Sequence, residues 1–416
     1  MKKVLLFLFV AVFATSCAQQ SVEITVSNNS DLARTNEIVE IDAKDVLLSL
    51  CGDTKECLSK KSCALIDVRD AAGNRIEYQL TYDNKLIFPV TIAANASETY
   101  SVSVSTDKME IAPKVYGRFV PERIDDFAWE NDKIAFRTYG PALQASGEKA
   151  YGYDIWVKRT SDLVIDKRYA GENSPEALAT KKALKEAGKT KELKAFVEAN
   201  SYHRDHGNGL DYYNVGPTLG AGMNAFMDGE KIIYQHNYAT QEVLDNGPLR
   251  FSVKLGFEPM VVNGEEVVES RVISLDAGSQ LNKTTVSYNK LSNPLPAVVG
   301  IILHDGSEDY SLSGNAMTYA DAPVAEHGQT FIATVFPENV KTSILKFEGE
   351  ELAYKNKKGG ANGHLLATFD LNQERNFTYY WGAGWTKWGF ENLAAWNAYV
   401  ADFTAKMKTP LRVSVK

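Results

Sequence analysis

The densest chemistry in the sequence lies in Tyr202-His203-Arg204-Asp205-His206-Gly207-Asn208-Gly209-Leu210-Asp211-Tyr212-Tyr213. It holds two of the six histidines, three residues apart, with two aspartates and an arginine. Imidazoles titrate near neutrality and suit general acid–base work, and Arg204 can neutralise a carboxylate. The glycines let the backbone turn and a ligand approach closely. His203, Asp205, His206 and Asp211 are chemically able to ligate a metal but match no established ligand spacing, so neither a metal nor another cofactor is expected. The bland alternative is a structured turn whose histidines bond only to backbone.

Two further clusters carry binding chemistry. In the first, Arg123, Asp125, Asp126, Trp129 and Glu130 lead into Arg137 and Tyr139, charges dense enough beside a tryptophan to form a binding rim. In an extended chain Arg123 and Asp125 share one face while Asp126 takes the other, and a purely structural Arg123–Asp125 ion pair fits the same residues. Asp154, Trp156 and Lys158 share one side of a strand by the same period, as the floor of a sugar groove does and as a plain exposed sheet face does. The second cluster is Trp381-Gly382-Ala383-Gly384-Trp385-Thr386-Lys387-Trp388. Its rings can stack on sugar faces while Lys387 meets a carboxylate, or they anchor the last helix. The expected binding set is Asp125, Trp129, Glu130, Arg137, Trp156, Tyr212, Trp385, Lys387 and Trp388.

Strands must position these residues. Val22, Ile24 and Val26 alternate with polar neighbours, Ile38 to Ile41 repeats the pattern, and the runs 64–68 and 76–80 flank the turn Ala72-Gly73-Asn74 as a hairpin. These and two more runs make a small antiparallel β-sandwich over residues 22–108. Runs such as Tyr151 to Val157, Leu249 to Phe257, Val267 to Leu275 and Thr330 to Phe336 then imply two large packed sheets over 109–416. Ser174-Pro175 opens a helical insertion over 174–200 with Gly188 as its break. Leu393, Trp396, Tyr399, Val400 and Phe403 fall on one face of a C-terminal helix, Asn392 to Met407. The fold class is mainly β.

Composition narrows the class of protein. Of 416 residues, 44% are hydrophobic and 24% charged, the balance of a folded globular chain. A net charge of −8 speaks against a broad nucleic-acid footprint. Residues 1–17 read as an export signal: Lys2-Lys3, an apolar run from Val4 to Phe13, then Ala14-Thr15-Ser16 before Cys17. The run is too short to span a bilayer, and the cysteine after small residues resembles a bacterial lipobox in which Cys17 is acylated. Residues 18–22 lack the acidic cluster of surface-exported lipoproteins. The expected location is therefore periplasmic, on the inner leaflet of the outer membrane, with the lipid as the sole membrane contact. Cys51, Cys57 and Cys63 allow one disulfide with one thiol left over. A zinc site there lacks a fourth ligand, because the first histidine is His203.

Taken together, Arg123-Ile124-Asp125-Asp126 with Trp129-Glu130-Asn131, Arg137-Thr138-Tyr139-Gly140-Pro141, the Tyr202 to Tyr212 run and the ending Tyr380 to Trp388 resemble the domain-of-unknown-function 4861 family. The resemblance implies exported bacterial proteins of polysaccharide-utilisation loci, often beside pectin-degrading enzymes. It also implies a fold similar to galactose mutarotase and to the β-supersandwich domains of polysaccharide lyases. The implied partner is a saccharide. A lyase acting on a uronate needs a cation for the carboxylate, a base for the departing proton and an acid for the leaving oxygen. Arg123 or Arg204, His203 or His206, and Tyr202 or Tyr212 supply these roles, while Asp125, Asp126, Glu130, Asp205 and Asp211 supply the carboxyl pair that a glycoside hydrolase needs. A glycoside hydrolase, a mutarotase or a non-catalytic glycan-binding protein is compatible with the same residues.

Metabolic labelling with a palmitate analogue tests the amino terminus. The wild-type protein is expected to take up label and Cys17→Ala to lose it; label surviving that substitution removes the anchor.

Overall fold

The computed structural model describes residues 21–51, 65–105, 107–348, 360–371 and 376–416. Cys17, Cys57, Cys63 and the Cys51 side chain lie outside the described residues. Among those described, no helix is long and apolar enough to cross a membrane.

The alternating amino-terminal segments do form a sandwich. Its larger sheet runs in the order Arg412–Val415, Ser21–Asn28, Ala96–Val104, Ile66–Asp70, Arg75–Ile76, and its smaller sheet Arg34–Asp42, Lys85–Ile92, Gln79–Leu80. Val22, Ile24 and Val26 point inward onto Phe88, Val90 and Val102, as a period of two requires. Two features depart from expectation. The strand read over 76–80 changes sheets, because the buried Gln79 side chain is recruited elsewhere: its carbonyl oxygen accepts from Leu249 N (2.8 Å) and Arg250 N (2.7 Å), and its amide donates to Arg250 O (3.1 Å). The outer strand of the larger sheet comes from the chain's last residues, pairing Ile24 with Val415, so the 22–108 and 109–416 division is crossed at the C-terminus. A helix that the sequence reading missed, Ala43–Cys51, packs Val46, Leu47 and Leu50 onto the same core.

The large body is built on an antiparallel sheet of eight strands, in order Thr240–Asn246, Arg250–Gly256, Glu269–Asp276, Leu281–Tyr288, Asn376–Trp385, Thr330–Val335, Ala316–Ala320 and Tyr310–Leu312. Two five-stranded sheets share its core. One, the site sheet, runs Gly209–Asp211, Asp154–Lys158, Ala135–Thr138, Asp126–Asn131, Val115–Val120; the other is centred on Leu295–His304. Aromatic rings fill the contact. Trp381 stacks on Tyr153 with centroids 4.0 Å apart, and Trp129 meets Trp381 edge-on at 6.2 Å. Trp129 Nε1 donates to Asn282 Oδ1 at 2.8 Å, which satisfies its polar edge in a place water does not reach.

Helices cover the two outer faces. Leu393–Lys408, capped where Asn392 Oδ1 accepts from Ala395 N (3.0 Å), lays Trp396 and Val400 on Phe331, Ala333 and Val335 of the eight-stranded sheet. Pro175–Glu186 and Thr190–Asn200 match the expected insertion, with Ser174 as the cap and Gly188 at φ +67° in the break. A third helix that the sequence analysis left out, Ile165–Asn173, precedes them and puts Ile165 and Tyr169 against Ala128, Ala135, Trp156 and Tyr202 on the outer face of the site sheet.

Trp129→Ala removes the ring at the centre of the large body and is expected to cost about 3–5 kcal/mol of stability, measured by denaturant unfolding. A loss below ~1 kcal/mol would contradict the packing described.

Candidate functional site

Alternation on the site sheet sorts its residues cleanly. Phe127, Trp129, Phe136, Ile155, Val157 and Leu210 face the eight-stranded sheet. Asp126, Glu130, Arg137, Asp154, Trp156, Lys158 and Asp211 therefore face the helices. Register does the rest: Arg137 lies opposite Asp154 and Ala128, and Asp211 opposite Trp156. One guanidinium is thus ringed by three carboxyl groups. Arg137 Nε and Nη2 donate to Asp154 Oδ2 (2.8 and 2.5 Å), Nη2 also to Asp211 Oδ2 (2.9 Å), and Nη1 to Asp126 Oδ2 (3.4 Å). Tyr139 and Tyr169 add hydroxyl donors to Asp154 and Asp126, each at 3.0 Å.

A single buried cation does not offset three buried carboxylates. Burial, the largest effect, raises Asp126 to about 6 against the pull of Arg137 and Arg123. Burial and then the Asp154 charge raise Asp211 well above the carboxylate range. Arg137 itself is held protonated, because the surrounding anions outweigh its desolvation. Within the group, burial and the neighbouring carboxyls thus favour the protonated form of Asp211 more than an exposed site would.

A cavity of about 290 Å³ opens on this group, lined among others by Arg123, Arg137, Tyr139, Lys149, His203, Asp211, Tyr212 and Asn214. His203 Nδ1 is 2.9 Å from the Asp211 carbonyl oxygen and 3.6 Å from Asp211 Oδ2. Both are acceptors, so Nδ1 carries the hydrogen and Nε2 of the neutral ring is the basic nitrogen. Arg123 is delivered by a turn rather than by a strand: Ile124 and Asp125 are left-handed at φ +50° and +59°. Gly140 lets that turn pack closely, since a Cβ there would lie 2.1 Å from the Asp125 carbonyl. Arg123 Nη1 is buried with no hydrogen-bond partner.

The expected site residues divide accordingly. Arg123, Arg137, His203, Asp211 and Tyr212 come together around the cavity. Asp125 does not alternate with Arg123 as an extended chain requires; the turn assigns it a backbone role, its carbonyl accepting from Tyr238 OH at 2.6 Å. Asp205 is a turn former, accepting from Gly207 N (2.9 Å) and Gly209 N (3.0 Å) and pairing with Arg159. The exposed His206 ring bonds the Ser201 carbonyl, and Arg204 pairs loosely with Glu198 and Glu326 on the surface. Neither stands in the cavity. Trp129 belongs to the core. Glu130 is structural: Lys158 Nζ reaches its Oε2 at 2.5 Å, and its Oε1 caps the helix Ile165–Asn173 by accepting from Val164 N and Ile165 N (2.7 and 2.8 Å). Trp156, expected as a stacking platform, has its faces taken by Tyr202 at 4.8 Å and by the Arg137 and Arg168 guanidinium groups. Trp385 is only 2% exposed and donates to the His327 carbonyl at 2.7 Å. Lys387 lies over that ring and bonds the Glu326 carbonyl, and Trp388 packs on the core. The tryptophan loop reaches the site through Tyr212, which bonds the Trp385 side chain and meets the His327 ring at 5.3 Å. Tyr139 and Asp154, named in the sequence clusters but left out of the expected binding set, also belong to the site, and Lys149 was not foreseen. A larger groove of about 510 Å³ runs between strand Arg34–Asp42 and the last helix, and most of its charges are paired, Arg250 with Glu40 and Asp276 and Lys406 with Asp402.

Among the described residues no three His, Cys, Asp or Glu side chains group as metal ligands. The fold and the site define a mainly β protein of small sandwich plus multi-sheet body, with an arginine-centred carboxyl cluster beneath a helical cover. The chain belongs to the family described as domain of unknown function DUF4861, whose model matches residues 26–413. It is 28% identical, over the full length of both chains, to "uncharacterized protein P7" of Formosa agariphila. Among solved structures it is similar to an α-mannosidase from Enterococcus faecalis (TM-score 0.49, 8% identity, 95% of this chain and 46% of that one). It is also similar to a protein in glycosyl hydrolase family 38 from Enterococcus faecalis (TM-score 0.48, 8% identity, 96% and 48%). The chain spans a little under half the length of those two structures.

The raised carboxyl makes stability depend on pH in a defined direction. Asp126 titrates near 3.8 when unfolded and about 6 when folded, so its contribution is complete below about pH 4 and is lost as pH rises through about 6. Asp126→Asn is expected to remove about 2–3 kcal/mol of that fall, read as a flatter curve of denaturant midpoint against pH. An unchanged slope would contradict the assignment.

Proposed function

We propose that the protein acts on uronic-acid-containing oligosaccharides by acid–base elimination in this cavity. The observation that carries the reading is the meeting, around one cavity, of the buried Asp211 carboxyl, whose titration burial raises, with His203, whose Nδ1 is turned to the Asp211 carbonyl, beside the unpartnered Arg123 nitrogen. Arg123 and Lys149 receive the substrate carboxylate, which makes the neighbouring C–H acidic. His203 Nε2 takes that proton, the electron pair forms the new carbon–carbon double bond, and the bond to the leaving glycosidic oxygen breaks. Asp211 supplies the proton that this oxygen needs. Arg137 touches all three carboxyl groups and steadies the negative charge left on Asp211. A polar cavity with tyrosine hydroxyls suits a polyhydroxylated ligand. Export and lipid anchoring at Cys17 would place this activity in the periplasm, where such oligosaccharides arrive.

Incubation with pectin-derived oligosaccharides, followed by mass spectrometry and by absorbance of unsaturated uronates, tests the reading. Unsaturated product is expected. His203→Ala and Asp211→Asn should each lower kcat by about 10²–10⁴-fold, and Arg123→Ala should chiefly raise KM. Gain of water means hydrolysis instead, faster anomer exchange at constant mass means a mutarotase, and binding without turnover means a glycan-binding protein.

A further inference from the structure

Two buried histidines outside the clusters discussed so far hold the loop that walls the cavity, and they do so in opposite chemical states. His364, on strand Ala361–Leu371, accepts from Leu219 N through Nε2 at 3.0 Å. An accepting nitrogen carries no proton, and burial lowers this ring to about 3. His304, at the end of strand Leu295–His304, faces acceptors on both sides. Its Nδ1 lies 3.0 and 3.1 Å from the two Asp321 carboxylate oxygens, and its Nε2 lies 2.9 Å from the Asn214 carbonyl. Both bonds exist together only if both nitrogens carry hydrogen, which is to say only in the imidazolium. Burial opposes that charge, yet Asp321, the bond to Asn214 and the nearby Asp305 outweigh it and the net direction is upward.

What His304 grips is the cavity wall. Tyr213, Asn214, Val215 and Gly216 all line the cavity, and the Tyr213 ring meets the His304 ring at 5.6 Å. The other groups facing His304 are accounted for: Tyr319 OH bonds its backbone N at 3.1 Å and approaches Asp321 Oδ1 at 3.4 Å, and His364 stays neutral behind it. Asp321 is itself fixed, accepting from Ala322 N at 2.8 Å on its side chain and from Gln329 Nε2 at 2.9 Å on its backbone. The anchor is rigid, the wall is a loop, and a proton joins them.

We propose that His304 is a proton-operated positioning residue: as the imidazolium it draws Asn214, and with it the Tyr213–Gly216 wall, toward Asp321, and as the neutral ring it turns a lone pair on the Asn214 carbonyl and releases that wall. The proton leaves to solvent and no other group changes. The consequence for the proposed reaction, on whose cavity this inference rests, is a site that is shaped at lower pH and loosens as pH rises through the titration of His304.

The test needs no substrate. Nitrogen NMR of the histidine rings, assigned with His304→Gln, and hydrogen exchange of the 213–216 backbone, corrected for intrinsic rates, are followed from about pH 6 to about pH 9. Both His304 nitrogens are expected to be protonated at the acid end, and protection of 213–216 to fall by about tenfold or more with the same midpoint. Asp321→Asn should move that midpoint down, and His304→Gln should abolish the pH dependence while His364 keeps a singly protonated ring throughout. A singly protonated His304 at the acid end, or exchange at 213–216 that does not follow its titration, overturns the proposal from the wild-type protein alone, even if a variant fails to fold. A wall that answers to pH in a protein that never turns over an oligosaccharide would sustain this inference and sink the uronate reading.

Discussion

The site depends on the sharing of one guanidinium among three largely buried carboxyl groups at the edge of a cavity. Arg137 can satisfy Asp126, Asp154 and Asp211 geometrically but not electrostatically, and the shortfall raises the titration of Asp126 and Asp211. Two structural conditions maintain this. The site sheet is covered on its inner face by the eight-stranded sheet and on its outer face by the helix Ile165–Asn173 with Tyr202. Without the helical cover, the same residues would be a solvated strand face with ordinary titration.

The neighbouring ion cluster shows how little the residue types alone decide. Glu130 and Lys158 lie on the same face of the same sheet and pair at 2.5 Å. There the carboxylate is fully occupied by one ammonium and two helix amides, and both side chains are sealed. Nothing is left to transfer or to bind. The Arg137 cluster differs in having more acids than its cation can neutralise and in opening on a cavity. Capping by Glu130 is also what holds the cover down, so the structural cluster sustains the desolvation on which the other one relies.

Much of this could be read in the sequence because it is local. Alternation gave the strands around Val22, Ile24 and Val26 and the shared face of Asp154, Trp156 and Lys158, a cap and a glycine break gave Ser174 and Gly188, and the apolar face gave the last helix. What escaped was decided by distant partners. The Ile76–Leu80 run changes sheets because Gln79 finds Leu249 and Arg250, far away in the chain. Trp156 and Trp385, good stacking residues by type, are consumed by Tyr202 and by the loop at His327. His203 was legible as a site candidate and does line the cavity, whereas Asp205 and His206, equally suggestive beside it, are turned to local backbone bonds. His304 and His364 carried no local signal, since isolated histidines in apolar strands look alike whether they end up charged or neutral.

The pairing of strand Arg412–Val415 with Ser21–Asn28 gives the order of synthesis a structural meaning. The other strands of the amino-terminal sandwich are synthesised before the large body. Throughout that interval one edge of Ser21–Asn28 presents unpaired amides and carbonyls, a template for any extended chain nearby. The residues that close it, Arg412–Val415, follow the helix Leu393–Lys408 that packs on the large body. A chain interrupted before Arg412 therefore carries an open sheet edge that the intact fold covers with a single strand.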